Sequence, residues 1–133
     1  MPPEEGYQRD DAGCTGNQES WRKEVVFDRK DMLERMFDDE ELAAEMIAEY
    51  LADTPRQISA LKAAAGCRDF EICKLRSHTI KGDSAIMGGM RVMAVADGIE
   101  EAAGACDLEG ITSRLGELEA QFNALKKEML NDR

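Results

Sequence analysis

Residues 69–89 read DFEICKLRSHTIKGDSAIMGG, and the reading of the whole chain turns on their spacing. Phe70, Cys73, Ser77, Ile80, Ser84 and Met87 recur at steps of three and four. A helix advances about 100° per residue, so this spacing stacks them into one inward stripe. The helix starts near Asp69, and Gly88-Gly89 stop it. His78, the only histidine of the chain, falls one step off the stripe and so lies on its flank.

The pattern continues on both sides. Residues 90–104 place Met93, Ala96, Ile99 and Ala103 on one face, with Gly104 at the end. A last helix is predicted from about Leu108 to Leu130, where Leu108, Ile111, Leu115, Leu118, Phe122, Leu125 and Met129 keep a heptad spacing. Upstream, Leu42, Met46, Ile47, Tyr50 and Leu51 form a stripe that Ile58, Leu61 and Ala65 continue beyond Pro55. Because the period survives the proline, one kinked helix from near Asp39 to Gly66 is expected. A short helix from about Asp28 to Phe37 precedes it, burying Phe27, Met32, Leu33 and Met36, with Asp28 or Asp31 as its cap. Amphipathic helices on short Gly/Asp connections must share one interior. The predicted fold is all-α: an antiparallel up-down four-helix bundle with a short additional N-terminal helix.

Composition agrees and narrows the function. The 133 residues are 43% hydrophobic, carried by Ala, Leu, Met and Ile, with three prolines and few aromatics. A formal charge of −11 argues against a nucleic acid or an anionic membrane surface as partner. No apolar run reaches membrane-spanning length, and MPPEEGYQRDDAG lacks the order of a signal peptide, so the protein is read as cytoplasmic. Residues 1–24 show no apolar period and are read as a disordered polar leader before a domain at 25–131. Cys14, Cys67, Cys73 and Cys106 form no CxxC pair; Cys73 and Cys106 are read as packing residues.

Lys74 and Lys81 lie one turn before and after His78, and Gly82 shares that face. A flank histidine beside two lysines is often no more than hydrated surface. Gly82 costs the helix about 1 kcal/mol relative to Ala. Either close helix packing or an open approach to the imidazole could offset that cost. The combination of histidine, lysine at three, glycine at four and small residues after it favours a functional face.

His78-Thr79-Ile80-Lys81-Gly82, followed by Ser84, Ala85 and Gly88, resembles the HxxKG…G signature of histidine-containing phosphotransfer (HPt) domains, and the resemblance extends over about residues 25–130. It implies that His78 takes a phosphoryl group from a receiver-domain aspartyl-phosphate and passes it to another response regulator. The implied partners are receiver domains and a hybrid sensor histidine kinase, and the chain would act as a monomer. Lys81, and Lys74 with it, would stabilise phosphate charge. Glu100 would orient Nδ1 while Nε2 attacks. Gly82 and Ala85, with Met36 or Met32, would form an apolar apron for the partner. Asp83 departs from the family pattern, which usually has a small neutral residue there.

The chemistry suits these residues. An unperturbed imidazole titrates near pH 6.5, so it is largely nucleophilic at neutrality. A charge pair at 4 Å contributes about 1 kcal/mol in water and about 4 kcal/mol near a protein surface, enough to hold a phosphate but not to trap it. No GxxxxGK[ST] cradle occurs, so the chain is read as a shuttle, not an enzyme, with no cofactor or metal of its own; Mg²⁺ is expected in the partner receiver. One histidine cannot supply the Glu-x-x-His pairs of a metal bundle. A kinase dimerisation bundle would need two chains and an acidic residue where Thr79 stands. A phosphorylation-independent adaptor that binds receiver domains is the alternative function.

Overall fold

The computed structural model describes residues 24–131. Within them lie five helices and no strand: α1 (Arg29–Arg35), α2 (Glu40–Gly66), α3 (Phe70–Ile86), α4 (Met90–Gly104) and α5 (Leu108–Asn131). The helices α2 to α5 form an up-down four-helix bundle, each packing on the next, and α2 closes it against α5. One chain therefore supplies the whole bundle. The leader expected over residues 1–24 lies outside the described residues except for Glu24, whose carbonyl accepts from Arg91 Nε at 2.7 Å.

Three connections share one device: a left-handed residue follows the end of one helix, and the residue after it is the N-cap position of the next. Arg68, Gly88 and Cys106 have φ of 58°, 80° and 54°. Behind them, Asp69 N donates to Ala64 O, Gly89 N to Ser84 O and Asp107 N to Ala102 O, at 2.8–2.9 Å. These are Schellman closures, which satisfy carbonyls that the helix end would leave bare. Asp28, Asp39, Asp69 and Asp107 then accept from the backbone three residues on. Such a cap contributes about 1 kcal/mol.

Gly66 and Gly104 end their helices as expected. Both are the last helical residues, while the left-handed positions fall to Arg68 and Cys106. Cys106 is consequently exposed at a turn and is not a packing residue, whereas Cys73 is buried. Only at Gly88 does the left-handed step require glycine outright. A Cβ there would collide with the carbonyl of Asp28, whose N–H donates to Gly88 O at 2.7 Å. Gly89 has no capping side chain because a Cβ would press into Leu125.

The core is the shared interior that the stripes imply. Cys73, Ser77, Ile80, Ser84 and Met87 of the histidine helix are all buried, as are Ile111, Leu118, Phe122, Leu125 and Met129 of α5. Burying a Leu, Ile or Met side chain contributes about 1.5–3 kcal/mol, so this stripe holds α5 more firmly than helix propensity does. Two positions are out of phase with the expectation. Ala43, not Leu42, enters the core, and Leu42 is 38% exposed. In α4, Val92 is sealed while Met93 is only partly buried. Pro55 sits within one continuous α2, on its exposed side. The first helix ends at Arg35, short of the expected Phe37, which is left-handed and 91% exposed.

Candidate functional site

The rotation of α3 about its axis decides where His78 points, and buried serines fix it. Ser77 Oγ donates to Cys73 O at 2.7 Å, so a hydroxyl can enter the core without a foreign partner. Ser84 Oγ meets Tyr50 Oη of α2 at 2.7 Å. Burial pushes the Tyr50 phenol up to about 12, so that hydroxyl stays neutral in the core. With Ser77 facing inward, the next residue turns to the rim, and the His78 side chain is 64% exposed.

The helix beside it completes the site. Val92, Ala96, Ile99 and Ala103 face the interior, which turns Asp97 and Glu100 towards the flank of α3. Glu100 Oε2 lies 3.0 Å from His78 Nδ1, and Oε1 lies 2.7 Å from Lys81 Nζ. Lys81 also donates to Asp97 Oδ1 at 3.3 Å. Glu100 is the most enclosed member: its Oε1 is sealed from solvent, and the Lys81 ammonium meets its charge. The Lys81 bond holds the Glu100 carboxyl below the ordinary carboxylate range; burial opposes this and the His78 contact adds to it. The Lys81 ammonium is raised, mainly by that bond to Glu100, against desolvation and with help from Asp97. Both shifts describe one ion pair.

An ionised carboxylate can only accept, so Nδ1 must carry the proton it shares with Glu100. In the neutral ring that leaves the lone pair on Nε2. Nε2 has no partner among the described residues, on a ring that is mostly exposed. The arrangement can present an oriented nucleophile to an incoming electrophile.

The outer face of α3 is open. A Cβ built at Gly82 meets nothing within 4 Å, so this glycine does not serve helix packing within the chain. Lys74 is exposed and joins neither carboxylate of the cluster. Ala85 is partly buried. The expected apron needs correction: Met32 and Met36 are both buried and cannot meet a partner. Leu75 and Ile86, which the periodicity left unassigned, are instead 54% and 46% exposed. They lie about 60° and 80° round the helix from His78, with Gly82 between. An apolar residue off the stripe was the available signal for them.

No group of His, Cys, Asp and Glu that could hold a metal ion occurs among the described residues. No helix there is long and apolar enough to cross a membrane. The sequence model of the Hpt domain matches residues 45–128, more than half of the chain and all of the His78–Glu100 cluster. The chain belongs to the Hpt domain family. It is in general terms a phosphorelay protein of the Hpt type. The fold is also that of histidine-containing phosphotransfer protein B (HptB) from Pseudomonas aeruginosa PAO1, known from a crystal structure. That match has a TM-score of 0.76 at 18% identity, over 80% of this chain and 93% of the other. Comparison with curated protein sequences finds no match.

Proposed function

We propose that His78 accepts a phosphoryl group at Nε2 from a receiver-domain aspartyl-phosphate and hands it to a second receiver. The observation that carries this reading is the hydrogen bond from Nδ1 to Glu100 at 3.0 Å, on a ring left mostly open to solvent. It fixes the tautomer with Nε2 free to attack. In the transfer, the acyl O–P bond breaks and its electron pair returns to the receiver carboxylate. The N–P bond forms with the Nε2 lone pair, while the Nδ1 proton stays on the ring, shared with Glu100. Transfer onward reverses these steps.

Phosphoryl transfer needs mainly in-line positioning and charge compensation. Lys81 has two tasks here. At rest its ammonium holds Glu100 ionised and in place; on phosphorylation it lies one turn from the new negative charge, with Lys74 one turn before it. The protein is a shuttle without its own ATP chemistry, and the partner receiver brings the Mg²⁺. Gly82, Leu75 and Ile86 give that partner a flat, partly apolar landing beside the histidine.

The test is transfer of label from receiver domains charged with radiolabelled acetyl phosphate. The wild-type chain takes up acid-labile, alkali-stable label, and His78→Gln takes up none. Label that persists in His78→Gln rules out this residue. An unlabelled wild-type chain that still binds receivers would mark it as an adaptor.

A further inference from the structure

Asp83 plays no part in the chemistry above, yet it borders a groove of about 350 Å³ between α2 and α3. Met46, Ile86 and Met87 give the groove an apolar floor, and Glu49, Asp53 and Asp83 supply carboxylates along it. Arg56 also lines it. Yet Arg56 forms no ion pair with either aspartate, and neither aspartate has a cationic partner among the described residues. Asp53 takes only a hydrogen bond from Gln57 Nε2, at 3.4 Å. Burial, and after it the charge of Asp53, push the Asp83 carboxyl above its ordinary range. Asp83 therefore burdens the fold, and neither carboxylate has its charge met among the described residues.

The groove and the histidine face lie on the same helix, with Asp83 next to the open Gly82 and the exposed Ile86 one turn beyond it. Going round α3 from His78, one meets Gly82 at about 40°, Ile86 at about 80° and Asp83 at about 140°. A partner seated over His78 and Gly82 reaches the groove across Ile86. A long cationic side chain fits such a place, because its stem can lie on apolar surface while its head meets charge.

We propose that this groove selects the docking partner: it receives a lysine or arginine side chain of the receiver seated over His78, between Asp53 and Asp83, with Met46 and Ile86 along its stem. The proposal rests on the phosphorelay reading for the identity of the partner. Complementary charge at such a rim sets which partner docks and how fast, and salt weakens it.

The test uses the full chain as wild type, Asp53→Asn, Asp83→Asn and the double variant. The probes are purified receiver domains of the source organism, both unloaded and loaded with labelled acetyl phosphate. The double variant is expected to need about tenfold more receiver for half-maximal transfer at low salt, with the saturating rate kept and the salt dependence flattened. Asp83→Asn alone should dock more weakly and yet melt at a higher temperature, a pairing that a merely structural role would not give. Equal half-saturation and equal salt dependence in wild type and double variant overturn the proposal. If the wild type takes no label but calorimetry shows receiver binding that depends on both aspartates, the relay fails and the groove stands. Receiver binding indifferent to both residues overturns the groove whatever His78 does. No binding to any receiver overturns both.

Discussion

Replacing Glu100 with alanine tests how the histidine is held. The change removes the acceptor 3.0 Å from Nδ1 and the nearer of the two carboxylates on Lys81, leaving that ammonium with Asp97 at 3.3 Å. A hydrogen bond to a charged group contributes about 1.5–3 kcal/mol net. The His78 ring is mostly exposed, so water competes for Nδ1 and the lower end applies. About 1.4 kcal/mol, placed on the transition state, is a tenfold change in rate. We therefore expect Glu100→Ala to slow transfer from a phosphorylated receiver about tenfold at saturating receiver, read by rapid quench. Glu100→Gln retains an oxygen that can accept from Nδ1, and it should recover most of that loss. A Glu100→Ala rate within about twofold of wild type would refute the argument that a fixed tautomer matters.

Gly82→Leu should raise stability by up to about 1 kcal/mol, because glycine is a poor helix former and the site is open, while receiver transfer falls steeply. Chemical denaturation and a transfer assay on the same sample check this; transfer at the wild-type rate would show that no partner approaches there. Tyr50→Phe strands the buried Ser84 hydroxyl and should cost about 1–3 kcal/mol, read by urea unfolding. A loss below about 0.5 kcal/mol would mean that the pair does not pin α2 to α3. The Glu100 carboxyl is lowered, chiefly by Lys81, so the unfolded chain binds its proton first as pH falls. Its stabilisation is present above the ordinary value of 4.5 and is lost as pH drops through the lower folded value. Lys81→Met should flatten that acid limb, and an unchanged limb in pH-stepped unfolding would contradict the pairing.

Much of this was legible in the sequence because burial follows period. The stripes of the histidine helix and of α5 enter the core as their spacing implies, and the five helices follow. Where one residue step separates a core position from an exposed one, hydrophobicity alone misleads. Leu42 is the larger apolar residue, yet Ala43 is in phase with Ile47 and Tyr50 and so takes the interior. The helices end at Gly66 and Gly104 as read, and the left-handed step comes two residues later. Glycine marks where a chain can turn left-handed, but Arg68 and Cys106 accept that conformation once the Schellman bonds close behind them.

The site was legible unevenly. The flank position of His78 follows from Ser77 facing inward. The convergence of Glu100, Asp97 and Lys81 depends on the rotation of α4 against α3, which no spacing within one helix reports. The first helix buries Met32 and Met36 as its spacing implies, and for that reason neither can serve in the apron that the resemblance implies beside His78.

The most direct measurement is heteronuclear NMR of the phosphorylated chain, with labelled imidazole nitrogens coupled to phosphorus. The expected result is a single phosphohistidine bonded through Nε2, with Nδ1 still protonated and hydrogen-bonded. Phosphorus coupled to Nδ1, or carried on any other side chain, would contradict it.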